Sequence, residues 1–169
     1  MSLLRITRYG EPVLSTLAKP VEDVATVQDL IQSMYKTMYA AQGIGLAAPQ
    51  VNVSLRLAVI NVTPDKKKNQ FVIINPKIVK REGAVESDEG CLSLPMVGGA
   101  LFKRAAKVTV EALNEQGLPV TIAGDGLLAR CLQHEIDHLD GKLIINRAPL
   151  KRRLEMNWAI RKLKKEGLW

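Results

Sequence analysis

Apolar and polar positions along the chain alternate with two different periods. Leu30, Ile31, Met34 and Met38 recur every three or four residues until Gly43, the spacing of one helix face. Thr26, with an acid three residues later at Asp29, gives that helix a capping start. Residues 55 to 62 and 71 to 74 are rich in β-branched side chains and read as strands, separated by the polar stretch TPDKKKNQ. From Lys107 the pattern alternates strictly, with Val108, Val110 and Ala112 on one face. Asn114-Glu115-Gln116-Gly117 then turns the chain into a second strand from Leu118 to Ile122.

A second helical pattern follows Asp125, with Leu127, Leu128, Cys131, Leu132, Ile136 and Leu139 apolar and Gly141 as its stop. A helix apolar around so much of its circumference belongs in a core, with sheets around it. The last helix, about residues 149 to 166, opens at Pro149. Hairpins with helices interspersed predict an α+β fold. Its antiparallel sheets should pack around the central helix, in a single domain over residues 1–169 with the C-terminal helix last.

Composition changes this picture in three places. With 47% hydrophobic residues the chain suits a globular core, but the seven aromatics are few, so that core must rest on aliphatic side chains. No apolar run reaches the ~18 residues of a membrane span, and Arg5 and Arg8 interrupt any signal-peptide apolar region. A cytoplasmic protein is expected, with Cys91 and Cys131 reduced and free to bind metal. The net charge of +7 is concentrated in the tail. Residues 151 to 169 hold seven basic side chains against Glu155 and Glu166, a balance of +5. Such a helix either attracts an anionic partner or serves solubility as a solvated face.

The candidate chemistry lies in CLQHEIDHLDG, residues 131 to 141. His134 and His138 are the only histidines in the chain, and four residues apart they face one spot on a helix. His-Glu-x-x-His in that setting binds a cation through two imidazoles, with the glutamate placed to take a proton from water. A third ligand is needed. A further histidine ten residues after His134 would fall at Ile144 and is absent. Glu155 and Glu166 follow the motif but lie in the basic tail. Cys131 would crowd a site built from its own helix and suits a small core position better. Cys91, in ESDEGCLSLPMVGG between Gly90 and Pro95, can approach from an irregular segment and leaves the fourth position open.

Three stretches resemble the signature motifs of peptide deformylases: GIGLAAPQ at residues 43 to 50, EGCLS at 89 to 93 and QHEIDH at 133 to 138. They stand in that family's order, and the resemblance runs over essentially the whole chain. It implies hydrolysis of the formyl group from N-terminal formyl-methionine of nascent polypeptides, with release of formate. It further implies that Cys91, His134 and His138 hold one divalent metal per chain, Fe2+ being the family's usual ion, while Zn2+, Ni2+ or Co2+ suit the same donors. By the same resemblance Glu135 is the base, and Gln50 and the Leu92 N–H steady the oxyanion. Ile44 and Gly45 lie along the bound peptide, and Leu128 and Cys131 wall the side-chain pocket with His134. Many bacterial members carry an arginine soon after the proline of the second motif. Here no charge follows Pro95 until Lys103, the two adjacent glycines suggest a pliable loop, and Arg104 is expected to pair with Glu89 behind it. Some members dock on the ribosome through a basic C-terminal helix, which the +5 tail would suit. The rival readings are a zinc metallopeptidase with Glu155 as third ligand, and a non-enzymatic ribosome- or RNA-binding protein with a structural metal.

Overall fold

The computed structural model describes residues 2–169. Helix α1 (Gln28–Ala40) leads into strands β1 (Gly45–Ala47), β2 (Leu57–Ile60), β3 (Phe71–Glu82), β4 (Val85–Glu89), β5 (Ala100–Arg104), β6 (Lys107–Leu113) and β7 (Pro119–Asp125). Helices α2 (Gly126–Leu139), α3 (Ile144–Arg147) and α4 (Leu150–Lys165) complete the chain. Five strands form one antiparallel sheet in the order β1-β2-β3-β6-β7, and β4 pairs with β5 separately. The expected α+β fold, antiparallel sheets about a central helix with a C-terminal helix, is what the chain adopts.

The runs at β2 and at the start of β3 are continuously apolar because both faces are covered. Leu57, Val59, Val72 and Ile74 pack with Ile31, Met34 and Met38 of α1. Ala58, Ile60 and Ile73 face the other way, onto Ala129, Leu132, Ile136 and Leu139 of α2. Helix α2 therefore lies against the sheet on the face opposite α1, with β1, β2, β6 and β7 beneath it. That places both histidines on a rigid, buried element.

Several boundaries differ from the sequence reading. Asp23, not Thr26, caps the first helical segment: its carboxylate accepts from the Ala25 N–H at 2.9 Å, and a 3-10 turn at Val24–Val27 feeds α1. The helix stops through Gln42, which takes the left-handed conformation at φ 56° while the Gly43 N–H reaches back to the Met38 carbonyl. Strand β3 runs on to Glu82, past Pro76, because a register shift between Ile74 and Lys77 absorbs the proline's missing donor. Strands β4 and β5 lack the apolar alternation that announces a strand, since β4 turns Ser87 and Glu89 inward and β5 turns Arg104 inward.

Candidate metal centre

Helix α2 carries His134, Glu135 and His138, all on buried turns, and strand β4 delivers Cys91 just past its end. The Cys91 Sγ lies 3.3 Å from His138 Nε2, and the two histidine Nε2 atoms are 3.2 Å apart. All three donor atoms fall within 4.8 Å of one another. The His134 Nδ1 is 2.9 Å from the Glu89 carboxylate, which makes Nδ1 the protonated nitrogen and leaves Nε2 with a lone pair. A sulfur and imidazole nitrogens aimed at one point repel one another unless a cation sits among them, so this donor set fits a divalent metal.

Behind these ligands is a buried ion-pair network. Glu89 accepts from Arg104 at 2.9 and 2.8 Å and from Ser87 at 2.7 Å. Arg104 continues to Asp137 at 2.6 Å, and Asp137 also receives Arg147 from α3. The expected Glu89–Arg104 pair is thus present, as the centre of a larger cluster that reaches the first histidine. Burial works against ionising Glu89, yet the Arg104 and His134 hydrogen bonds and the Arg104 charge hold its carboxyl well below the ordinary range. The ion pairs of Asp137 and Arg147 carry no signal in sequence, because they join residues of different elements.

Glu135 is 3% exposed, and its Oε2 has no hydrogen-bond partner among the described residues. Burial pushes its carboxyl up to about 7, against the opposing charge of His134; a bound dication would draw it back down. Gly45 makes room for this carboxylate: a Cβ there would collide with Glu135 Oε1 and lie 2.9 Å from Cys131 Sγ. Gln50 is buried by the 3-10 turn at Ala48–Val51. Its Oε1 accepts from the Ala47 N–H at 2.9 Å, which turns Nε2 toward Ser93 Oγ (3.3 Å) and Cys91 Sγ (3.8 Å). Ser93, not singled out from sequence, thereby helps aim the amide.

A cavity of about 430 Å³ opens over these groups, lined by Ile44, Gly45, Gln50, Cys91, Leu92, Cys131, His134 and Glu135 among others. The expected wall residue Leu128 packs on the core under α2, and Leu127 lines the cavity instead, together with Arg130. Residues 127, 130, 131 and 134 follow the i, i+3, i+4, i+7 rule of one helix face, and the polar Arg130 masks that face in sequence. Cys131 does line the cavity, its thiol pushed up by burial and the nearby Glu135. Glu155 sits exposed on α4 against Arg152 at 3.3 Å, outside the donor cluster, so the metallopeptidase site with Glu155 as third ligand is not formed. Nor is the loop after Pro95 left loose: Arg152 donates to the Gly99 and Val97 carbonyls at 2.9 and 3.1 Å, tying it to α4.

Two imidazoles and a thiolate at one end of a cleft, with a buried carboxylate beside them, make a mononuclear metallohydrolase type of centre. The sequence profile of the family described as polypeptide deformylase matches residues 3–154, and the chain belongs to that family. A peptide deformylase of Thermodesulfovibrio yellowstonii is 47% identical over 157 residues, 91% of this chain and 94% of its own. One from Neisseria gonorrhoeae is 47% identical over 148 residues, 87% of each chain. The crystal structure of a peptide deformylase from Legionella pneumophila superposes with a TM-score of 0.92 at 46% identity, covering 98% of both chains.

Proposed function

We propose that this chain is a peptide deformylase that hydrolyses the formyl group from the N-terminal formyl-methionine of nascent polypeptides and releases formate. The observation that carries the reading is the meeting of Cys91, His134 and His138 beside an orphaned, buried Glu135 carboxylate at the floor of an open cleft. These three residues would hold one divalent ion, Fe2+ in the cell, which supplies Lewis acidity at the scissile amide.

The residues of the chain do the remaining work. Glu135 accepts a proton from the attacking water at its unpartnered Oε2, and passes it to the departing methionine nitrogen as the C–N bond breaks. Its unpartnered Oε2 suits both roles, since no neighbouring group competes for the proton it takes and gives back. Gln50 Nε2, fixed through its own Oε1, donates to the developing oxyanion, with the Leu92 N–H as second donor; each such donor is worth about 3 kcal/mol. Ile44 and Gly45 present backbone to the peptide as an added strand would. Leu127, Cys131 and the His134 ring offer the methionine side chain an apolar wall.

The same reading makes residues 1–169 one catalytic domain working in the cytoplasm. Among the described residues, no helix is long and apolar enough to cross a membrane. It also gives α4 a part in ribosome association. That helix buries Met156 and Ile160 but leaves Leu150, Leu154 and Trp158 exposed at four-residue spacing among its basic side chains. Binding through them should weaken as salt rises.

The direct test is formate release from formyl-Met-Ala-Ser by protein loaded anaerobically with Fe2+, beside acetyl-Met-Ala-Ser. Release from the formyl peptide alone is expected. Cleavage of internal peptide bonds, or no release from protein holding one metal per chain, would overturn the reading.

A further inference from the structure

Arg130 has no part in the mechanism above, yet it lines the same cavity. It is the one lysine or arginine that does so among the described residues. It stands on α2 one turn before His134 and shares a face with Leu127 and Cys131. Its side chain is half-buried, and no hydrogen bond or ion pair ties it to any described residue. The other arginines near the centre differ: Arg104 is held by Glu89 and Asp137, and Arg147 by Asp137. A partly desolvated guanidinium has five donors to satisfy, and its place on the cavity wall leaves them open to an incoming acceptor. Glu89, the buried acid of the same cavity, is already neutralised by Arg104. Asp88 of β4 also lines the cavity and is exposed.

We propose, on the deformylase reading, that Arg130 is a specificity-determining residue that takes up a substrate carboxylate, favouring Asp or Glu at the second or third position of the formylated peptide. Reach supports those positions. Four residues of helix put Arg130 about 6 Å from His134 along α2. An extended peptide advances about 3.3 Å per residue, so one or two residues beyond the methionine arrive beside the guanidinium. Planar donors match a carboxylate in a way a lysine ammonium does not. The contact acts on binding, so it should appear in KM more than in kcat.

The test uses Fe2+-loaded enzyme and peptides amidated at the C-terminus, so that no terminal carboxylate competes. The series formyl-Met-Xaa-Ser-amide and formyl-Met-Ala-Xaa-amide is run with Xaa as Asp, Ala and Lys. Wild type should favour Asp over Lys in kcat/KM by about fivefold at one of the two positions, the size expected of a partly exposed charge contact. Arg130→Gln should bring that ratio near unity, Arg130→Glu should reverse it, and Arg130→Lys should keep part of it. Arg81→Gln removes an exposed charge from β3 and should leave the ratio as in wild type. An unchanged ratio in Arg130→Gln, or an equal loss in Arg81→Gln, would overturn the proposal while leaving deformylase activity standing. Failure of wild type to release formate from any formyl peptide would bring down both.

Discussion

Replacing Gly45 by alanine tests whether the position of the Glu135 carboxylate matters to turnover. A Cβ built on this backbone would collide with Glu135 Oε1, lie 2.8 Å from Glu135 Cδ and 2.9 Å from Cys131 Sγ. Carbon atoms rest at about 3.5–4.0 Å, so the carboxylate must retreat by about 1 Å. It has nowhere cheap to go, because Glu135 is 3% and Cys131 5% exposed on a helix packed against the sheet. A misplacement of about 1 Å costs about 10²-fold in rate, equivalent to about 2.7 kcal/mol of barrier. The metal donors are not touched. Gly45→Ala should therefore keep its metal and its far-ultraviolet circular dichroism while kcat/KM for formyl-Met-Ala-Ser falls by about two orders of magnitude. Gly43→Ala is the control, since its Cβ would press only on the flexible Leu92 Cδ1 at 3.0 Å and on backbone oxygens at 3.4 Å. Metal-replete Gly45→Ala with activity within about threefold of wild type, under 1 kcal/mol, would refute the reasoning.

Other perturbations read different parts of the structure. Arg104→Met strands Glu89 as a buried carboxylate, while Asp137 keeps Arg147. Breaking a buried pair this way costs about 3–5 kcal/mol, so Tm should fall on the order of 10 °C by calorimetry, and Arg104→Met/Glu89→Gln should recover part of the loss. Glu11 is held at about 2 by hydrogen bonds from the Arg5 side chain and the Arg8 N–H. A folded-state value below the unfolded one stabilises above about pH 4.3 and is lost as pH falls toward 2. Urea unfolding of wild type and Glu11→Gln should therefore differ at pH 7 and converge near pH 2; a constant difference would contradict the assignment.

Much of the centre is legible in sequence because its signals are local. His134, Glu135 and His138 sit on one helix whose period is plain, and the chain has no other histidine to confuse them. The β6–β7 hairpin is equally plain, with alternation along β6 leading into the turn at Asn114-Glu115-Gln116-Gly117. What escapes is non-local. Strands β4 and β5 bury Ser87, Glu89 and Arg104, a polar inward face that makes sense only once Asp137, Arg147 and His134 are brought to it. On the cavity side of α2 the sequence points to Leu128 where Leu127 lines the wall, because Arg130 breaks the apolar stripe on that face. Gly45 likewise shows its reason only in the fold, as a close approach between β1 and α2.

Glu135→Gln gives the most direct test of the central claim, that a carboxylate beside a Cys91–His134–His138 metal performs the proton transfers. Metal content and formate release should be measured on the same preparation. The account predicts one metal per chain, as in wild type, with kcat lower by about 10²–10⁴-fold, the range of a lost general acid–base. Retained turnover with full metal would contradict it.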